Sequence, residues 1–178
     1  MNFIQRHFIK RYISENKHDR ETFVTSLRDA KSVGILCNIT TEDTYKEIYA
    51  VFSRLQTAKR SVWLMGYIDE KAVPFYCLQQ LSADYFCKKD LNWFGRPNKV
   101  QIEDFCKIDF DIMIDFSHQK FDPIRLMMQI TPAHFIVGGN KENIDCYDLL
   151  IDSEQELTHN ELINEIAKYT SSLSGERP

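Results

Sequence analysis

The chain has 178 residues, 43% of them hydrophobic and 27% charged, with a formal charge of -4. That is the size and balance of one globular domain, able to bury roughly 70% of its unfolded surface without a disulfide or metal staple. The negative charge argues against wholesale electrostatic capture of nucleic acid.

Residues 2–14 set Phe3, Ile4, Phe8, Ile9, Tyr12 and Ile13 at helical spacing, with Arg6, His7, Lys10 and Arg11 on the other side. The pattern predicts a basic amphipathic helix. Its charges recur too often for a signal peptide or a membrane span, and no apolar run of spanning length follows, so a cytoplasmic protein without a transmembrane segment is expected. This helix could dock on the domain, near the acid-rich stretch 141–165, or make peripheral contact with an anionic membrane or a partner. Residues 16–31 (NKHDRETFVTSLRDAK) read as a polar, broken helix.

The apolar run Val33–Ile39 predicts a strand buried on both faces. Thr40 and Thr41 precede a helix carrying Tyr45, Ile48, Tyr49, Phe52 and Leu55 on one face, with Lys59 and Arg60 at its end. Ser61–Ile68 is a second strand, completing a βαβ unit. Ala83–Cys87 is a third, followed by the polar-aromatic loop KKDLNWFGRPNK and a short helix over 100–107. Phe110–Phe116 is a strong strand. Asp122-Pro123 opens another helix, with the aspartate as its cap. Ala133–Val137, ended by Gly138-Gly139, and Tyr147–Ile151 are further strands, and a helix over 158–173 closes the domain.

Short apolar strands alternating with helices predict a three-layer, Rossmann-like α/β sandwich. Its sheet is mainly parallel, with five or six strands, and the amphipathic helix precedes it. The expected organisation is a helical extension over 1–31, a single α/β domain over 32–173 and a tail over 174–178.

In such sheets ligands sit outside the carboxyl ends of the strands, near the switch in strand order. Neither a GxGxxG nor a GxxxxGK[ST] sequence occurs, so the usual dinucleotide and nucleoside-triphosphate loops are excluded and no cofactor is expected. Thr40 and Thr41 serve as a helix cap or, with the helix N-terminus, hold an anion. In the loop 88–95, Lys89, Asn92 and Trp93 form a candidate stacking and anion-binding edge, or the aromatics pin the connection. Asp115 and Asp90 are the candidate catalytic carboxylates. Ser117, Gly138 and Gly139 join Lys89, Asn92 and Trp93 as candidate ligand contacts, with loop capping and turn formation as the structural alternatives. The five histidines lie far apart without metal-ligand spacing, so no metal site is predicted. The five cysteines show no CxxC pair and read as small buried hydrophobes in a reducing compartment.

The order DLNWFG (90–95), FDIMIDFS (110–117), AHFIVGG (133–139) and YDLLID (147–152) resembles an uncharacterised bacterial domain family, common in Bacteroidetes and of unknown function. The resemblance runs from about Ser32 to Tyr169 and implies no activity or site residue. FDIMIDFS, a helix and the AHFIVGG strand are also similar to the N-terminal Rossmann-like half of heptosyltransferase-type glycosyltransferases. Without a second nucleotide-sugar-binding domain in this chain, that similarity implies an acceptor-type or degenerate binding fold. The resulting expectation is a non-catalytic binding or interaction module for a small phosphorylated, anionic or sugar-like ligand. The alternative is a small enzyme acting on a phosphate- or sugar-bearing substrate.

Overall fold

The computed structural model describes residues 3–57 and 59–174. Its elements run α1 (Phe3–Asn16), β1 (Ser32–Asn38), α2 (Glu42–Leu55), β2 (Ser61–Ile68), β3 (Ala83–Cys87), α3 (Val100–Phe105), β4 (Ile112–Asp115), α4 (Asp122–Ile130), β5 (Ile136–Gly138), β6 (Leu149–Leu150) and α5 (His159–Ser174). All six strands are parallel, in the order β3-β2-β1-β4-β5-β6. The chain thus builds outward from β1 to one edge, returns beside it as β4, and builds to the other edge. This is the Rossmann-like order, and the switch point lies between β1 and β4.

The two faces follow from the two-residue period of the strands. Val33, Ile35 and Cys37 pack with Ile48, Phe52 and Leu55 of α2 and Leu162, Ile163 and Ile166 of α5. Leu36, Met65, Phe86 and Met113 face the other way, against Ile102 and Phe105 of α3 and Ile124 and Met127 of α4. Strands buried on both sides explain why the sequence shows continuous apolar runs rather than alternation.

Helix α1 joins the second layer through Ile9, Tyr12 and Ile13. Phe8 lies against Trp93 and Phe94 at ring-centre distances of 5.1 and 5.9 Å, and the Arg96 guanidinium covers the Tyr12 ring at 4.3 Å. Docking therefore uses the aromatic loop and α4, while Phe3 and Ile4 at the outer end stay exposed. No described helix is long and apolar enough to cross a membrane. Of the tail expected over 174–178, only Ser174 lies among the described residues, and it belongs to α5.

Three local expectations differ from the structure. Residues 17–31 form no helix. Ser26 and Asp29 close a side-chain-stabilised turn (Ser26 Oγ donates to Asp29 Oδ2 at 2.6 Å), and Arg20 reaches the Ala133 carbonyl at 2.7 Å and the Asp148 carboxylate. Such bonds compete with helix formation. Asp122 lies in the first turn of α4 instead of capping it; Phe121 holds the cap position.

Helix α2 ends at Leu55, before Lys59 and Arg60. Arg60 instead donates to three carbonyls, those of Leu27 (2.6 Å), Ala30 (3.0 Å) and Arg28 (3.1 Å), and so fastens the approach to β1. Arg60→Ala is expected to cost about 2 kcal/mol in urea unfolding, the scale of charge-assisted hydrogen bonds that are partly solvated. Arg60→Lys should recover only part of it, since an ammonium lacks the planar fork. A loss below the error of the melt would show that the fork is not what holds this segment.

Candidate functional site

Each sequence-derived candidate has a defined place. Asp115, the last residue of β4, is fully buried. Its Oδ1 accepts from the Ser117 backbone N–H (2.8 Å) and hydroxyl (2.5 Å). Its Oδ2 accepts from the Tyr147 hydroxyl (2.6 Å) and Asn143 Nδ2 (3.0 Å). Burial pushes the carboxyl pKa up, and the four donors pull against it without reversing the shift. The carboxylate is an internal tie between β4 and the 3-10 turn at Lys141–Cys146, with both oxygens occupied.

Ser117 is spent on that tie. Gly138 makes room for it: a Cβ there would lie 2.5 Å from Cζ of Tyr147. Gly139 has no such clash and borders an open hollow.

Asp90 closes the short 3-10 turn at Lys88–Asp90. It accepts from the Cys87 N–H at 2.9 Å and pairs with Lys99 at 3.0 Å. Burial raises its pKa, but the Cys87 N–H and Lys99 outweigh it and leave the carboxyl below its ordinary value. Asn92 turns its Oδ1 inward to the N–H groups of Phe94 and Arg96. Trp93 packs beside Phe8 and Phe94, and its carbonyl accepts from Gln5 Nε2. Lys89 is exposed. This loop borders a shallow hollow with Lys120, Phe121 and Asp122, so it meets the segment that follows β4. Asp90, Asn92, Asp115 and Gly138 nevertheless do not converge on one opening: each serves a local contact.

The opening at the switch point has Ser117 and Gly139 on its border and is otherwise built by residues outside that set. Two adjoining hollows of about 390 and 360 Å³ share His118, Glu156 and Leu157. Asn38 at the end of β1, Thr40, Thr44 and Glu47 form one wall, and His159 at the start of α5 forms another. Thr41 caps α2 by accepting from the Thr44 N–H at 3.1 Å. Glu42 and Asp43 already complement that helix terminus, which leaves it ill suited to an anion.

Asn38 is buried, and its Oδ1 has no hydrogen-bond partner among the described residues. Across the crevice, His118 Nε2 and His159 Nε2 stand 3.2 Å apart. His118 Nδ1 faces Glu156 at 2.8 Å and His159 Nδ1 faces Glu47 at 3.0 Å. Phe116 meets the His159 ring edge-on at 5.4 Å. Burial lowers the His159 pKa against the opposing pull of Glu47. The position of ligands beyond strand ends reaches Asn38 and His118 but does not reach His159, Glu47 or Glu156. The signal for His159 was its position in the first turn of a helix entering the same rim.

Residues 2–173 match the sequence profile of a family described as of unknown function, DUF6913. The chain belongs to that family. No curated protein and no solved structure matches it significantly. The stretch shared with DUF6913 runs from α1 through nearly all of α5, and so includes every residue of the crevice.

Proposed function

We propose that this DUF6913 chain is a binding module whose ligand enters the switch-point crevice and is a small, hydroxyl-rich, sugar-like or cationic molecule. The observation that carries this reading is the Asn38 Oδ1, buried at the carboxyl end of β1 without a partner among the described residues. Such an acceptor costs about 1–3 kcal/mol unless a donor reaches it. The Oδ1 is itself screened from solvent, so a hydroxyl or an ammonium group supplies that donor when the Asn38 amide turns toward the crevice it lines.

The charges around it, Glu47, Glu154 and Glu156, favour a neutral or positive ligand over a phosphorylated or otherwise anionic one. Lys141, the cation on this rim, is already paired with Asp152 at 2.5 Å. The engagement of Asp115 and Asp90 supports binding over catalysis by those carboxylates. Five buried, free thiols fit a reducing, cytoplasmic setting.

The test is a thermal-shift and NMR screen of monosaccharides, polyols and amino sugars in the presence of chelator. A wild-type hit is expected to bind about tenfold more weakly to Asn38→Ala, the loss of roughly one hydrogen bond. No response from the wild type across the screen, or equal binding by the variant, overturns the reading.

A further inference from the structure

The contacts of His118 and His159 point to a second occupant of the same crevice. A neutral imidazole carries one proton, and a carboxylate facing Nδ1 draws that proton to Nδ1. Glu156 does this for His118 and Glu47 does it for His159. Both Nε2 atoms are then lone pairs, and they face each other at 3.2 Å. Two acceptors held at that distance repel unless a cation lies between them.

The cation is either a proton or a metal ion. The contact lies within hydrogen-bonding geometry, but a shared proton is held best on a nearly straight N–H···N line and more weakly as that line bends. Two rings aligned on such a line at 3.2 Å would hold their centres farther apart than the 4.8 Å observed, because each centre would stand a full ring radius beyond its Nε2. The ring axes are therefore turned well off the N···N line. A metal ion suits this bend. With metal–nitrogen bonds of about 2.0–2.1 Å, an N···N separation of 3.2 Å subtends roughly 100° at the ion, close to tetrahedral. The two carboxylates occupy the place of outer partners that fix the ring orientation of metal-ligating histidines. Phe116 and the near-complete burial of His159 hold that ring in place.

We infer that His118 and His159 bind a divalent transition-metal ion of the zinc class through their Nε2 atoms, with Glu156 and Glu47 as the carboxylates behind them. The described residues hold no group of three or more metal-ligating side chains, so water or a ligand completes the coordination. The inference rests on the two imidazoles and on the opening proposed above, not on the identity of the ligand there.

The experiment uses the full chain, stripped with chelator, titrated with Zn2+ by calorimetry and with Co2+ by visible absorption. One saturable equivalent is expected, with a tetrahedral Co2+ spectrum lacking thiolate charge-transfer bands. His118→Ala should abolish the equivalent while leaving the thermal melt cooperative. Glu47→Gln should weaken binding at least about tenfold. In long-range proton–nitrogen NMR spectra, both Nε2 resonances should move on saturation. Three results overturn the site: no saturable equivalent, binding unchanged in His118→Ala, or an Nε2-bound proton shared by the two rings that persists with metal in excess. Because the ligand screen is run in chelator, failure here leaves that reading standing, and failure there leaves the metal equivalent standing.

Discussion

Asp115→Ala is expected to lower the free energy of unfolding by about 3–5 kcal/mol, measured by urea denaturation at neutral pH. The substitution removes the acceptor of four donors, from Ser117, Asn143 and Tyr147, all around a fully buried position. Each orphaned donor loses a charge-assisted bond and regains no water. Asp115→Asn should cost less. Its amide nitrogen needs an acceptor where a carboxylate oxygen stood, and the Asn143 Oδ1, buried and without a partner among the described residues, can meet it if that side chain turns over.

The pair also makes a pH experiment with a definite sign. The carboxyl pKa is raised in the folded state, so the folded chain binds the proton more tightly than the unfolded chain. That contribution is complete below the ordinary carboxylate range and is lost as pH rises through the raised value. Wild type should therefore lose stability relative to Asp115→Asn as pH increases. A flat difference across that range, or an alanine variant within about 1 kcal/mol of wild type, would mean that the tie is not what holds the end of β4.

Gly138→Ala is expected to cost about 3 kcal/mol, near the upper end for overpacking. The added methyl would meet Cζ, the hydroxyl and Cε1 of Tyr147 at 2.5, 2.6 and 2.9 Å. A tyrosine ring anchored at its far end by Asp115 cannot move aside without breaking that bond. The check is a double-mutant cycle. Gly138→Ala combined with Tyr147→Ala should cost clearly less than the sum of the two single losses, because the second change removes what the first collides with. Strict additivity would place the strain elsewhere.

Much of this architecture was readable from the letters. Ser61–Ile68 and Ala83–Cys87 are strands at the bounds their apolar runs suggest, because a strand covered on both faces has to be apolar along its length. The alternation with helices implied the layers, and the ends of the strands implied the rim. What escaped was everything decided by contacts between distant segments. The turn at Lys141–Cys146 has no period to read; it starts at Asn140, whose side chain accepts from the Glu142 N–H, and it carries Asn143 under Asp115. His118 and His159 come from a strand end and a helix start, and spacing along the chain holds no trace of their meeting. Ser117 and Gly138 looked like ligand contacts because they stand at strand ends. Their own neighbours, Asp115 and Tyr147, already occupy them.

The strand order also bears on how the protein emerges during synthesis. β1 pairs with β2 soon after both exist, but its other side waits for β4, which arrives only after β2, β3 and α3 have been made. Until then a nascent chain carries a half-sheet with an unsatisfied inner border, the kind of surface that recruits stray strands. The border left open until β4 arrives is the one at which the mature crevice forms, so whatever shields it on the ribosome acts where the proposed ligand site will later stand.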